Sequence, residues 1–331
     1  MRKVNNAKKL LAYVALVSVV LIWATSPLVS NLELVKKNYS PGMIIALRAF
    51  AATFALALIN FKKLKELNKE YFKVAIPSGC VLAAASISQM VGYRYEATPG
   101  ESAFLENISV IVIPILLFLF TRKKPTWTKV CAAILCFIGS AIIALEGGTG
   151  NFWSISLGKW LAALSGVLYG VNIAITGVYT KKLDSALYVF IQLAIQSVAA
   201  FLYSFIIEDG VLHTFSMSFS FLPLLTVSML GVIATGICWT LRTYCFKEIP
   251  VMVVTVVMPF AAVLTGLLSV IIGMDDLTWN LVAGGLIVLS AIFLAELGDK
   301  PRKCKLLKEP IVNVAQEDAL KSATVDETQL Q

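Results

Sequence analysis

Histidine is almost missing from this sequence: His213 is the only one in 331 residues. A metal site built on two histidines is therefore excluded, and a serine–histidine hydrolase is disfavoured because His213 falls in a connection between apolar segments. Cysteine is sparse and scattered. Cys80, Cys131, Cys136, Cys238, Cys245 and Cys304 form no C-x-x-C pair and read as small buried hydrophobes rather than as a redox or metal motif. No phosphate-binding G-x-x-x-x-G-K-[ST] loop occurs, since "GNFWSISLGK" has the wrong spacing, so an ATP-driven pump would need a separate chain. No cofactor and no metal are expected. Charge is also scarce, at 15 % of residues against about 25 % in soluble domains.

In place of charge the sequence has apolar runs: 58 % of residues are hydrophobic. The runs come in stretches of roughly 20, the length a helix rising about 1.5 Å per residue needs to cross about 30 Å of hydrocarbon. Ten such stretches are readable, at 10–32, 41–60, 71–92, 102–120, 126–145, 157–180, 186–207, 221–246, 250–272 and 277–295. Each is continuous rather than alternating, so each predicts a membrane-spanning helix rather than a barrel strand. Basic residues alternate between the connections. The N-terminus, 62–73, 122–129, 181–182, 242–247 and 300–308 are rich in lysine and arginine, whereas the opposite connections hold Lys36, Lys37, Arg94 and Lys159. Positive-inside bias thus predicts a multi-pass protein of the cell membrane with both termini cytoplasmic. The net charge of +8 is accounted for by these loops and by anionic lipid, and no nucleic-acid partner is expected. The first run is longer than a signal peptide and reads as a retained helix, while 298–331 reads as a flexible basic and polar cytoplasmic tail.

An internal repeat is present. "IWATSPLVSNLELVKK" aligns without gaps with "LYGVNIAITGVYTKKL" at an offset of 146, pairing Trp23 with Tyr169. "PTWTKVCAAILCFIGSAIIALE" aligns with "LTWNLVAGGLIVLSAIFLAELG" at an offset of 152. Five helices per half is an odd number, so the second half is inverted in the membrane. The expected fold is all-α, ten transmembrane helices as two inverted repeats of five: a cytoplasmic start at 1–9, repeats at 10–145 and 157–297, and an external linker at 146–156. The small-residue stretches "AGGLIV" and "GSAIIA" predict close packing, within the chain or at a homodimer contact.

With "LIWATS", "TPGESAFLENISVIVIPILL" and the terminal "GGLIVLSAIFLAE", the ten-helix pattern resembles the EamA-type transporters of the drug/metabolite transporter superfamily. The resemblance implies a 5+5 inverted-repeat fold, a central cavity and movement of small metabolites, often amino acids. The sequence departs from the family's pattern at Asn31, where many members carry a basic residue, and at "TRKKPT" and "GMDDLT", where many carry a Gly-Glu-Arg-like link.

Polar residues inside the runs predict where substrate sits. Ser165, Tyr169, Asn172, Thr176 and Tyr179 follow one helical stripe, as do Ser86, Gln89 and Tyr93, then Thr235, Trp239 and Arg242, then Trp23, Ser26 and Ser30. Such stripes either bond helix to helix or line a cavity. Trp23, Ser26, Gln89, Tyr93, Glu106, Asn107, Tyr169, Asn172 and Trp239 are the candidate substrate-binding residues. Gln192 and Gln196 are one turn apart, and either line a lateral opening or pair with a neighbour. Glu106 is a carboxylate about 6–8 Å into the fourth run, and Arg48 lies at similar depth, about 10 Å, in the second. The two form either a permanent structural pair or a proton-coupling site whose pairing breaks during transport. Arg94 and Arg242 mark helix ends, either snorkelling toward headgroups or acting as gates against Glu96 and Glu248. A secondary transporter for a small molecule, coupled to protons or working by exchange, is the expected function. A channel or receptor-like scaffold is the alternative, and an enzyme is disfavoured for want of catalytic groups.

Overall fold

The computed structural model describes residues 2–30, 35, 38–94, 105–144, 157–208, 220–273 and 277–297, and among them helix is the only regular structure. The expected linker 146–156 and tail 298–331 lie outside the described residues. The helices are α1 (Arg2–Ser30), α2 (Pro41–Ile59), α3 (Lys69–Arg94), α4 (Ile108–Thr121), α5 (Trp127–Ala144), α6 (Leu157–Tyr179) and α7 (Ser185–Tyr203), the last continuing into a π-turn, Ser204–Glu208. After them α8 (Phe221–Leu230), a π-helical stretch (Gly231–Ile237) and α9 (Cys238–Glu248) form one rod, α10 (Val251–Val257) and α11 (Phe260–Ile272) another, and α12 (Trp279–Leu297) closes the fold. Seven of these rods are long and apolar enough to cross a membrane, and α4, α5 and α12 are shorter apolar helices. The chain is a multi-pass membrane protein. Helix begins at Arg2 rather than at residue 10, because Lys8 and Lys9 are good helix formers and continue the run backwards.

Local chemistry sets the ends. In "NYSPG", Ser40 caps α2 by accepting from Met43 N at 3.4 Å, and Pro41 occupies the first helical position, where its missing N–H costs nothing. Glu208, a buried carboxylate, accepts from Gly42 N through both oxygens, at 2.9 and 3.0 Å, and so ties the end of the seventh rod to the start of α2. Arg122 ends α4 in the left-handed region, with φ 55°.

Packing uses small residues. On α5, a Cβ at Gly139 would lie 2.8 Å from Gly284 O of α12, so the glycine stretches of these two helices serve contact within the chain. The main interfaces are α5 with α12, α3 with α6 and α7, α2 with α7 and the π-stretch, α4 with α6, and α1 with α9 and α11. Outward faces stay apolar: Leu10, Val14, Val17 and Leu21 follow one stripe on α1, each more than half exposed. Such a stripe suits hydrocarbon and is poorly suited to water.

Asp184 joins two elements at one end of the bundle. Its Oδ1 caps α7 by accepting from Ala186 N and Leu187 N, and its Oδ2 accepts from Lys63 Nζ at 3.1 Å. Burial pushes this carboxyl up, but the Lys63 contact and the two backbone N–H groups outweigh it and hold it below the usual carboxylate range. A carboxyl depressed in the folded state stabilises at neutral pH, and the contribution is lost as pH falls through that depressed range. Asp184→Ala is expected to cost about 1 kcal/mol at pH 7, the usual value of a cap. Thermal unfolding in detergent across acid pH should show the gap to wild type closing; a gap that widens on acidification contradicts this.

Candidate functional site

The helical backbone is interrupted directly after Glu106: Leu105 and Glu106 are helical, Asn107 is a turn, and α4 starts at Ile108. The carboxylate therefore stands at a break, just ahead of a helix N-terminus whose dipole favours negative charge. Gly166 of α6 makes the break fit: a Cβ there would come within 2.5 Å of Leu105 O and 2.9 Å of Glu106 O.

A directed chain of hydrogen bonds ends on this carboxylate. Gln196 Nε2 donates to Ser86 Oγ at 2.7 Å, Ser86 Oγ lies 3.2 Å from Tyr169 OH, Tyr169 OH donates to Gln89 Oε1 at 2.9 Å, and Gln89 Nε2 donates to Glu106 Oε1. The Tyr169 and Gln89 donors both point toward the carboxylate, polarise each other and favour a charged terminal acceptor. Ser86 Oγ donates to Leu82 O at 2.9 Å. Arg48 donates from Nη2 to Ser26 Oγ at 3.5 Å and from Nε to Thr235 Oγ1 at 3.4 Å. Glu106 thus has Gln89 as a neutral hydrogen-bond partner, and Tyr169 lies within electrostatic reach of Glu106, Arg48 and Arg242 together.

A second cluster lies one to two turns further along α6. Asn172 Nδ2 donates to Ser78 O and Oγ, both at 3.0 Å, which turns Oδ1 toward Arg242 Nη2 at 3.5 Å. Ser78 Oγ also accepts from Gln192 Nε2 at 2.8 Å and Tyr188 OH at 2.5 Å, and Tyr188 OH lies 3.0 Å from Thr176 Oγ1. Arg242 is only 3 % exposed; its guanidinium carbon stands 3.8 Å from the Trp239 ring centre and 5.8 Å from that of Trp23. It is turned into the protein rather than toward a headgroup. The two tryptophan rings are 6.4 Å apart, and Trp23 Nε1 donates to Ala234 O at 2.8 Å.

Trp23, Ser26, Arg48, Gln89, Glu106, Tyr169, Asn172, Trp239 and Arg242 therefore belong to two joined clusters. The side chains of Ser30, Tyr93 and Arg94, and the whole of Glu96, lie outside the described residues. Tyr179 leaves the stripe: it is half exposed and packs on Phe120, with ring centres 6.1 Å apart. Gln192 and Gln196 pair with α3 through Ser78 and Ser86. Ser78 and Tyr188 had not been singled out, although Ser78 lies two turns before Ser86 and Tyr188 one turn before Gln192, on the same faces.

These features describe a multi-pass membrane protein with charged and aromatic groups gathered between apolar helices. Residues 10–145 match the model of the EamA-like transporter family, part of the drug/metabolite transporter superfamily. A solved structure described only as "Crystal structure of protein" shares the fold, with a TM-score of 0.71 at 16 % identity over 90 % of this chain and 99 % of that one. Among curated proteins none matches.

The close approach at Gly166 yields a differential test. Gly166→Ala forces the 105–106 backbone aside and is expected to destabilise by about 1–3 kcal/mol, as overpacking does. Gly170→Ala meets Ser109 Cα at an ordinary 3.4 Å. It should be neutral or gain from helix propensity, by at most about 1 kcal/mol. Equal melting temperatures for the two variants would contradict the assigned contact.

Proposed function

We propose that this chain is a secondary transporter that moves a small metabolite, an amino acid or similar, across the cell membrane by alternating access, with proton coupling or exchange at Glu106. The ten rods are read as two inverted repeats of five, and both termini as cytoplasmic from the lysine and arginine pattern.

The packing supports the repeat. Exchanging α1–α5 with α6, α7, the 221–248 rod, the 251–272 rod and α12 maps the main interfaces onto each other. Contacts of α3 with α6 and α7 become those of the 221–248 rod with α1 and α2, α4 with α6 becomes the 251–272 rod with α1, and α2–α7 and α5–α12 map onto themselves. The helix breaks correspond as well. Glu106 and Asn107 fall 152 residues before Met258 and Pro259, where α10 ends and α11 begins, and this is the offset at which α5 and α12 align. Interrupted helices in matching positions of two halves mark substrate and ion sites in secondary transporters.

The directed chain ending on Glu106 is the observation that carries coupling. Protonating Glu106 weakens it as the terminal acceptor for Gln89. The chain through Gln89 and Tyr169 then relaxes, so proton binding and the shape of the site are linked. Membrane lipid and protons are the further partners, and a homodimer is compatible with the exposed apolar faces.

Glu106→Gln keeps shape and hydrogen bonding but removes titration. In proteoliposomes with labelled amino acids it should retain substrate exchange and lose accumulation driven by a pH gradient; unchanged gradient-driven accumulation would sink the coupling role. Trp23→Ala and Tyr169→Ala should each weaken saturable, competable uptake about tenfold or more, the scale on which an aromatic wall contributes to binding. Melting curves of both variants separate loss of the site from loss of the fold. Normal uptake by both variants would move the site elsewhere, and unitary conductance in place of saturable flux would make the protein a channel.

A further inference from the structure

Arg242 is a cation inside the 221–248 rod and is only 3 % exposed. A guanidinium carries five N–H donors, and in hydrocarbon each charge needs a counterion or strong acceptors. Nη2 reaches Asn172 Oδ1 at 3.5 Å, the far limit of a hydrogen bond, and buried Nε has no acceptor among the described residues. No carboxylate among the described residues forms an ion pair with it. Its remaining support is the faces of Trp239, Trp23 and Phe246, at 3.8, 5.8 and 5.7 Å. Stacking of this kind occupies the plane of the guanidinium and leaves its edge, where the N–H groups point, for a planar two-oxygen acceptor.

We infer that Arg242 receives a carboxylate of the transported molecule, so that the substrate class is small carboxylic acids with an apolar or aromatic body. The inference deepens the transporter reading and rests on it. A carboxylate matches the single charge of Arg242, whereas a phosphate monoester, at about −1.5 to −2, exceeds it. Trp23, Trp239 and Tyr169, each half-buried, keep part of their surface free to flank the body of such a molecule. Asn172 is the positioning residue: its amide is locked by Ser78, so its carbonyl holds Arg242 from one side only.

The test uses the full chain in lipid nanodiscs with matched probes: 3-phenylpropionate, its amide, phenethylammonium and phenyl phosphate, together with butyrate and butyramide. Binding is read from the thermal shift and from tryptophan fluorescence. The acids should bind roughly 10- to 100-fold tighter than their amides, the range of a charge-assisted hydrogen-bonded pair. Arg242→Gln should abolish that preference without lowering the melting temperature of the ligand-free protein, because it removes a buried charge that has no counterion. Amides that match the acids, a phosphate that outranks the carboxylates, no binding by either acid, or an acid preference that survives Arg242→Gln each overturn the inference; the wild-type comparison holds even if the variant fails to fold. Flux in proteoliposomes separates this from the function itself. Acids bound at Arg242 but not moved would defeat the transporter reading alone, and saturable flux of a neutral or cationic probe with no acid binding would defeat the carboxylate site alone.

Discussion

A charge placed between apolar helices has no water to solvate it, so the protein must provide the solvation itself, and that requirement shapes the centre of this molecule. Glu106 is met by a helix N-terminus and by the end of an amide–phenol–hydroxyl chain. Arg48 is met by two hydroxyls, and Arg242 by aromatic faces and one amide. Each solution draws side chains from several helices at once: α3, α6 and α7 for the carboxylate chain, α1, α6 and α9 for Arg242. Outside these contacts the helices meet through apolar side chains such as Leu82, Leu187 and Val253 and through close glycine contacts, none of which carries charge. The polar clusters therefore fix which helices face one another.

The same requirement explains why the break at Asn107 is tolerated. Interrupting a helix in a membrane frees backbone groups that must be bonded or buried in protein. Here the 105–106 carbonyls press against α6 at Gly166, which has no side chain to hold them off. The second interruption, at Met258–Pro259, has a simpler origin. Pro259 has no N–H to donate into the preceding turn, so the ladder of α10 stops there.

Much of this was legible in the sequence, for a physical reason: polar and aromatic residues recurring every three or four positions cannot all face lipid. That argument located Trp23, Gln89, Tyr169, Asn172 and Trp239, and both clusters contain them. It gave direction no better than about a turn. Tyr179 has the right spacing and nevertheless points outward, because at the end of a span a phenol satisfies itself without protein. Arg242 has the spacing of either a snorkelling or an inward residue, and only the positions of Trp23 and Trp239 decide between them. The break was hidden because Leu105 and Glu106 are good helix formers and a single asparagine, Asn107, marks it, while what allows it, Gly166, lies on another helix. Ser78 and Tyr188 continue stripes that were already visible, so the period was sufficient and its extension was missed.

The π-helical stretch Gly231–Ile237 is where local backbone and site are most tightly joined. Widening a helix by one residue per turn breaks the regular pairing of carbonyls, and such bulges recur at functional positions. Here Ala234 O accepts from Trp23 Nε1, and Thr235 Oγ1 accepts from Arg48. Gly231 admits the Arg48 backbone so closely that a Cβ would lie 2.5 Å from Arg48 O. A regular helix would swing the following residues by about 100°, slightly more than a quarter turn, the angle one added residue represents at about 3.6 per turn. Trp239 and Arg242 come after the stretch, and Arg48 and Trp23 pack on it. The widened turn consequently sets the register between the residues that hold Arg48 and those that stack on Arg242, and the two cations are positioned by one irregularity of backbone.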